Sequence, residues 1–168
     1  GKVRHFGVSN QKPMQIELLK RYVKQPIEID QLQLSIPCSN MITNGMEVNM
    51  ASEGAVDRDG SVLDYCRLND ITIQAWSPFQ YGFFEGVFIG NEEKYPKLNA
   101  VLNELADKYN VSPSGIATAW ILRHPAGIQM ITGSTSRKHM QEIIDGSHVT
   151  LTREEWYRLY LAADHMLP

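Results

Sequence analysis

Along the chain, short apolar bursts alternate with stretches whose apolar residues recur every three or four positions. This alternation predicts strands and helices in turn. Residues 3–8 form a mostly apolar run closed by Ser9-Asn10, a turn signal. Lys12-Pro13 opens a helix with proline at its first position, and Ile16, Leu19 and Val23 give it one apolar face. Pro26 ends that stretch, and Ile27, Ile29 and residues 32–34 predict a second strand. A polar segment rich in Asn and Gly, residues 39–60, reads as a long loop. Residues 61–68 predict a helix and residues 71–76 a third strand, stopped by Ser77-Pro78. The aromatic stretch 79–95 reads as a loop. Leu98, Val101, Leu102, Leu105 and Tyr109 mark an amphipathic helix. Ser112-Pro113 starts another, as N-cap and first helical residue, and Pro125 closes it. Residues 128–131 predict a fourth strand, followed by Gly133-Ser134-Thr135-Ser136 and a helix with Met140, Ile143 and Ile144 on one face. Thr152 and Glu155 form a capping-box pair at the start of the last helix, whose buried side is Trp156, Leu159, Tyr160 and Ala163.

Short apolar strands separated by helices imply a parallel sheet built from right-handed βαβ units. Four strands cannot close a barrel, which takes about eight. On the pattern alone, an open doubly wound domain and part of a barrel both remain, although no Gly-rich fingerprint follows the first strand. The 168 residues carry a formal charge of −3, with 43% hydrophobic and 21% charged residues. That is an ordinary globular composition without the basic stripe a nucleic acid needs, so nucleic acid is excluded as an expected partner. No apolar run is long enough to span a membrane, and no signal peptide precedes the first strand. Cys38 and Cys66 have neither metal-ligand spacing nor a disulfide pattern. Cys66 is expected to be a buried free thiol, no metal site is expected, and the expected location is cytoplasmic. A start without Met, already inside a strand, suggests a chain that is truncated, cleaved or only partly represented.

Ligands of parallel α/β folds meet the carboxyl ends of the strands. Those ends carry Ser9, Asn10 and Gln31, then Trp76-Ser77-Pro78, then the small-residue loop 133–136 leading into a helix. Amide side chains, a large flat ring and a helix N-terminus suit a nicotinamide dinucleotide, since these parts can pair with a carboxamide, stack on a pyridine ring and meet a phosphate. Each has a plainer reading on local grounds. Trp76 at the end of an apolar strand could be core, Ser9-Asn10 an ordinary turn, and residues 133–136 a capping loop. His5 reads as a structural histidine within the first strand, and His124-Pro125 as a helix terminator. His139 could be an exposed helical residue or touch a phosphate. The aromatic loop 79–88 could be a substrate lid or packing. Met41, Met46 and Met50 could line a substrate pocket or serve as adaptable filling.

Four stretches together resemble one family. Gly1-Lys2-Val3-Arg4-His5-Phe6-Gly7-Val8-Ser9-Asn10 resembles the fifth-strand motif of aldo-keto reductases. Asp30-Gln31-Leu32-Gln33 resembles their sixth-strand pattern, usually Asn-Gln with an acid two residues on. Ala75-Trp76-Ser77-Pro78-Phe79 is similar to the seventh-strand motif, in the form with Trp found in bacterial oxidoreductases of the family. Ile131-Thr132-Gly133-Ser134, followed by Glu142, resembles the eighth strand and its helix. The two extra helices, over residues 98–109 and 152–164, also stand where that family inserts them. The resemblance covers essentially the whole chain. It implies the second half of a TIM (β/α)8 barrel, strands five to eight, with residues 1–168 as the cofactor-binding half.

It also implies NADP as cofactor, with NAD possible, and a small carbonyl or alcohol as substrate. Ser9, Asn10 and Gln31 would hold the carboxamide and Trp76 would stack on the nicotinamide. Ser77, Pro78 and Phe79 would lie along the pyrophosphate. Gly133, Ser134, Thr135 and Ser136 would meet the adenosine phosphate, and Glu142 the adenine end. The family's usual phosphate-gripping Arg is His139 here, and Arg137 and Lys138 beside it could substitute, since two nearby cations favour a phosphate dianion; the Asn that often follows Glu142 is Ile143. The family's catalytic Asp, Tyr, Lys and His lie in the first half, and no motif here matches them. No catalytic residue is therefore assigned, and the chain is expected to be inactive alone. It would pair with the missing N-terminal half or with a second copy, since a half barrel leaves two strand edges open. The alternative is a non-catalytic nucleotide-binding or interaction module derived from the same barrel.

Overall fold

The computed structural model describes residues 1–46, 61–82 and 85–167. Its elements run β1 (Gly7–Ser9), α1 (Pro13–Lys20), β2 (Ile29–Gln33), α2 (Asn40–Met46), α3 (Val62–Leu68), β3 (Thr72–Trp76), α4 (Pro96–Tyr109), α5 (Pro113–Leu122), β4 (Gln129–Met130), α6 (Arg137–Ser147) and α7 (Arg153–Ala162). The four strands form one sheet in the order β1-β2-β3-β4, and every pairing is parallel. Sequential order with helical crossovers is the arrangement of a barrel wall rather than of a sheet that reverses direction at its centre.

Register divides the sheet into two faces. Asp30 pairs with Ile73, and Leu32 with Ala75, which pairs in turn with Met130. Asp30, Ile73 and Ala75 are buried, so this face meets the helices. The alternate row, Ser9, Gln31, Gln74 and Gln129, occupies the opposite face. The helical layer centres on α5, where residues 115–121 are all buried. A helix apolar on every side must be surrounded, and α4, α6 and β4 all pack on it. Trp120 and Trp156 join α5 to α7. Their rings stack 4.7 Å apart, and each indole N–H donates to the other residue's carbonyl, at 3.1 and 2.9 Å. Glu155 completes the α7 capping box and receives Lys108 Nζ at 2.5 Å and the Tyr109 hydroxyl at 2.7 Å.

Several expectations need correction. Only Gly7–Ser9 of the expected first strand pairs, because an edge strand has a neighbour on one side only. Val3 is 58% exposed. His5 therefore precedes the strand, exposed, and bonds to Glu28 at 2.5 Å. The polar segment after β2 is not wholly a loop. Met41, Ile42 and Thr43 bury themselves, and the Ser39 carbonyl accepts from Ile42 and Thr43, which starts α2. The expected apolar face of α6 holds only at Ile143, which is half-buried, whereas Met140 and Ile144 are exposed and the buried residue is Gly146. Met50, Phe83 and Phe84 lie outside the described residues. Cys66 is a buried free thiol, as expected.

Gly146 explains how α6 docks. A Cβ there would stand 2.3 Å from the Gly115 carbonyl oxygen, and one on Gly115 would stand 3.3 Å from the Gly146 Cα. The helices touch backbone to backbone, and backbone does not yield as a flexible side chain does. Gly146→Ala is expected to destabilise the protein by about 1–3 kcal/mol through overpacking, measured as a lowered denaturation midpoint at unchanged m-value. A neutral Gly146→Ala would show that the two helices are free to separate.

Candidate functional site

The strand tips of β1, β2 and β3 are tied to one another. The Gln31 carbonyl accepts the Asn10 N–H at 2.9 Å and the Ser9 hydroxyl at 3.1 Å. The Trp76 indole N–H donates to Asn10 Oδ1 at 3.3 Å, so the end of β1 reaches the end of β3 across β2. Asn10 and Ser77 both have positive φ, 56° and 49°. Asn tolerates that region and Ser does so less readily. The turn after Ser77 closes with Gln80 N–H on the Ser77 carbonyl at 3.0 Å. Gln80 and Val87 form an antiparallel bridge.

On the other side, hydroxyl groups wind the loop from β4 into α6. Thr132 Oγ1 accepts from Ser134 N at 3.3 Å, Ser134 Oγ from Ser136 N at 3.2 Å, and Ser136 Oγ from His139 N at 3.5 Å. The last is the N-cap of α6. His139 Nδ1 lies 3.5 Å from Ser134 Oγ. Between the two walls is a cleft of about 630 Å³, lined by Trp76, Ser77, Pro78, Phe79 and Gln80 on one side and by Ile131, Thr132, Gly133, Ser134, His139 and Ile143 on the other. Val87, Ile89 and Ser114 complete it. A flat indole, an apolar floor and a capped helix N-terminus fit a dinucleotide.

Seven of the residues singled out in the sequence, Trp76, Ser77, Pro78, Phe79, Gly133, Ser134 and His139, thus share one cleft. Asn10 is joined to it through Trp76, whereas Ser9 and Gln31 are outside its lining, in the row on the sheet face opposite the helices. Thr135, Ser136, Arg137 and Glu142 are outside its lining. Glu142 faces Lys138, 3.9 Å away. The sequence reading missed Gln80, Val87, Ile89, Ser114, Ile131, Thr132 and Ile143 as lining residues. Ile131 and Thr132 directly precede the singled-out loop, so the strand-end rule could have found them. Ser114 arrives from another helix, and no local signal marks it.

No tyrosine lines the cleft. The Tyr65 hydroxyl bonds to Glu17, that of Tyr81 to the Glu85 carbonyl at 2.8 Å, and that of Tyr109 to Glu155. Tyr160 shares a bond of 2.7 Å with Thr43, and Tyr22 is exposed. Among the described residues, His139 is the one titratable side chain in the lining. Among the described residues no group of three His, Cys, Asp or Glu could hold a metal. Among the described residues, no helix is long and apolar enough to cross a membrane. A second cavity, about 430 Å³, lies between α2, α3 and the ends of α5 and α7 and shares no residue with the first.

The parallel sheet, its helical cover and a cleft at the carboxyl edge of the strands define an α/β protein of the barrel type. The chain belongs to the aldo/keto reductase family, whose sequence profile matches residues 1–162. It is 28% identical over 164 residues to 6-dehydroglucose reductase of Agrobacterium fabrum, covering 97% of this chain and 48% of that protein. It is 30% identical over 164 residues to the oxidoreductase YcsN of Bacillus subtilis, covering 96% of this chain and 48% of the relative. In fold it is similar to the aldo-keto reductase of Bombyx mori solved in complex with NADP. The TM-score is 0.63 and the identity 22%, over 95% of this chain and 44% of that one. The chain spans about half the length of the curated relatives it matches.

Asp30 stands directly before Gln31 on the helix-facing side, fully buried, and neither carboxylate oxygen has a hydrogen-bond partner of good geometry. Burial pushes its pKa up to about 6, and the nearby Gln11 backbone N–H offsets this only in part. The folded-state value lies above the ordinary one. The folded state therefore holds the proton more tightly, and stability falls as pH rises from about 4 to about 6 and stays low above that. Asp30→Asn removes the buried charge. It is expected to raise the unfolding free energy at pH 8 by on the order of 2–3 kcal/mol, read as a higher melting temperature, and to match the parent near pH 4. Equal gains at both pH values would show that the carboxylate is not the cause.

Proposed function

We propose that this chain is the cofactor-binding half, strands five to eight, of a (β/α)8-barrel oxidoreductase that uses NADP to interconvert a small carbonyl compound and its alcohol. The observation that carries this reading is the shared cleft, with Trp76 to Phe79 on one wall and Gly133, Ser134 and His139 on the other. The NADP complex of the Bombyx mori relative supports the choice of cofactor. Asn10 and Gln31 would hold the carboxamide, and Trp76, steadied by Asn10, would cover the nicotinamide face. Ser77, Pro78 and Phe79 would follow the pyrophosphate. Ser134, with Thr135, Ser136 and the N-terminus of α6, would meet the phosphate of the adenosine, and Glu142 would face the adenine. Bound there, the nicotinamide supplies or accepts the hydride.

The alkoxide formed on the substrate needs a proton donor within hydrogen-bond reach. No tyrosine lines the cleft. The acid is therefore assigned to the other half of the barrel, which would pair with the open edges of β1 and β4. A second copy of this chain is the other partner those edges could take. Unpaired Cys38 and Cys66 support a reducing, cytoplasmic setting.

Two experiments test the proposal. NADP⁺, which does not absorb where tryptophan emits and so quenches by contact, is expected to quench tryptophan fluorescence of the protein, and Trp76→Leu to abolish most of the quenching, because Trp120 and Trp156 are buried in the helical layer. The 168-residue chain alone is expected to show no aldehyde-dependent NADPH oxidation, and the full-length protein to turn over. Quenching unchanged in Trp76→Leu, or turnover by the isolated chain at the rate of the full-length protein, would overturn it. At the phosphate end, His139→Arg is expected to strengthen NADPH binding about tenfold while leaving NADH nearly unchanged, since a guanidinium grips a phosphate in two places. Equal effects on the two nucleotides would remove His139 from the phosphate site.

A further inference from the structure

The inner face of the sheet carries three glutamines in one row, and their side chains are linked in a single direction. Gln31 Nε2 donates to Gln74 Oε1 at 2.9 Å, and Gln74 Nε2 donates to Gln129 Oε1 at 3.0 Å. The register of β2, β3 and β4 sets them side by side. Glutamine is not a residue that strand propensity selects, and three adjacent ones on neighbouring strands satisfy each other only if all point the same way. Turning Gln31 alone would set its oxygen against the Gln74 oxygen, so two acceptors would face each other and the bond would be lost. The row therefore reverses as a unit or not at all.

Gln31 joins the row through Nε2, which leaves its Oε1 outside the row. At the edge of the row, the Ser9 hydroxyl is spent on the Gln31 main-chain carbonyl. The free group at the β2 end of the row is thus a carbonyl oxygen, an acceptor.

We propose that Gln74, backed by Gln129, is a positioning residue that locks the Gln31 amide with its oxygen toward the ligand, so that the site selects a nicotinamide for the N–H of its carboxamide. This rests on the cofactor reading given above and adds to it residues that touch no cofactor themselves. The consequence is specificity: a ring whose carboxamide nitrogen is replaced by a methyl group has no proton to offer Gln31, and should be rejected.

The test uses the full-length protein and three probes: NADP⁺, its 3-acetylpyridine analogue, and adenosine 2′,5′-bisphosphate, which reports the phosphate end alone. Wild-type protein is expected to bind NADP⁺ about tenfold more tightly than the acetylpyridine analogue, the size of one good hydrogen bond. Gln74→Leu should bring that ratio to within about twofold of one, with bisphosphate binding unchanged. Gln74→Glu keeps an acceptor for Gln31 Nε2 and should retain most of the preference. If Gln74→Leu keeps the wild-type ratio, or if the wild type shows no preference between the two rings, the positioning role is wrong although the cofactor site stands. If the wild type binds neither NADP⁺ nor the bisphosphate, the cofactor reading itself falls, and this inference with it.

Discussion

The parallel register of β1 to β4 is the constraint on which the site depends. Because all four strands run the same way, their carboxyl ends lie along one edge, and residues distant in sequence become neighbours there. Asn10 meets the Trp76 indole across the tip of β2, and the Gln31 carbonyl holds the turn that makes this possible. The same register separates the two chemistries of the sheet. Ile73 and Ala75 bind the helical layer, and the glutamine row occupies the other face. A slip of one residue in β2 would turn Gln31 toward the helices and expose Leu32, so the helical packing and the amide row are fixed by one alignment.

The helical layer serves the site less directly. The backbone contact between Gly115 and Gly146 brings α6 against α5, and with it the N-terminus of α6 and Ser114 to the same cleft. The stacked tryptophans and the Glu155 cluster fasten α7 to that assembly. Burial works to raise the Glu155 pKa, yet Lys108, the Thr152 N–H and the Tyr109 hydroxyl hold it at about 2. Asp30, buried without such partners, is pushed the other way. The contrast shows how far a carboxylate's surroundings, rather than its burial alone, decide its charge.

Much of this was legible in the sequence. Prolines at helix starts, the Thr152 and Glu155 box and the apolar runs located most elements, and the four strand-end motifs named the family and the two walls of the cleft. What escaped depends on tertiary contact. Helix α2 was hidden because Asn40, Asn44 and Gly45 argue for a loop, and only burial of Met41 and Ile42 overrides them. The docking of α6 was misread because glycine gives no signal in an apolar pattern, whereas Met140 and Ile144 do. The amide row was missed because glutamine at alternate strand positions looks merely polar until register aligns Gln31, Gln74 and Gln129.

In the proposed complex the strand tips seat a nicotinamide ring against Trp76 with its phosphates toward Ser134. A crystal structure of the full-length protein with NADP⁺ is the sharpest test. The pyridine ring is expected to lie parallel to the indole at a stacking separation of about 3.5–4 Å, with a phosphate at the N-terminus of α6. A nucleotide bound elsewhere, or the indole turned into the core away from the ring, would contradict it.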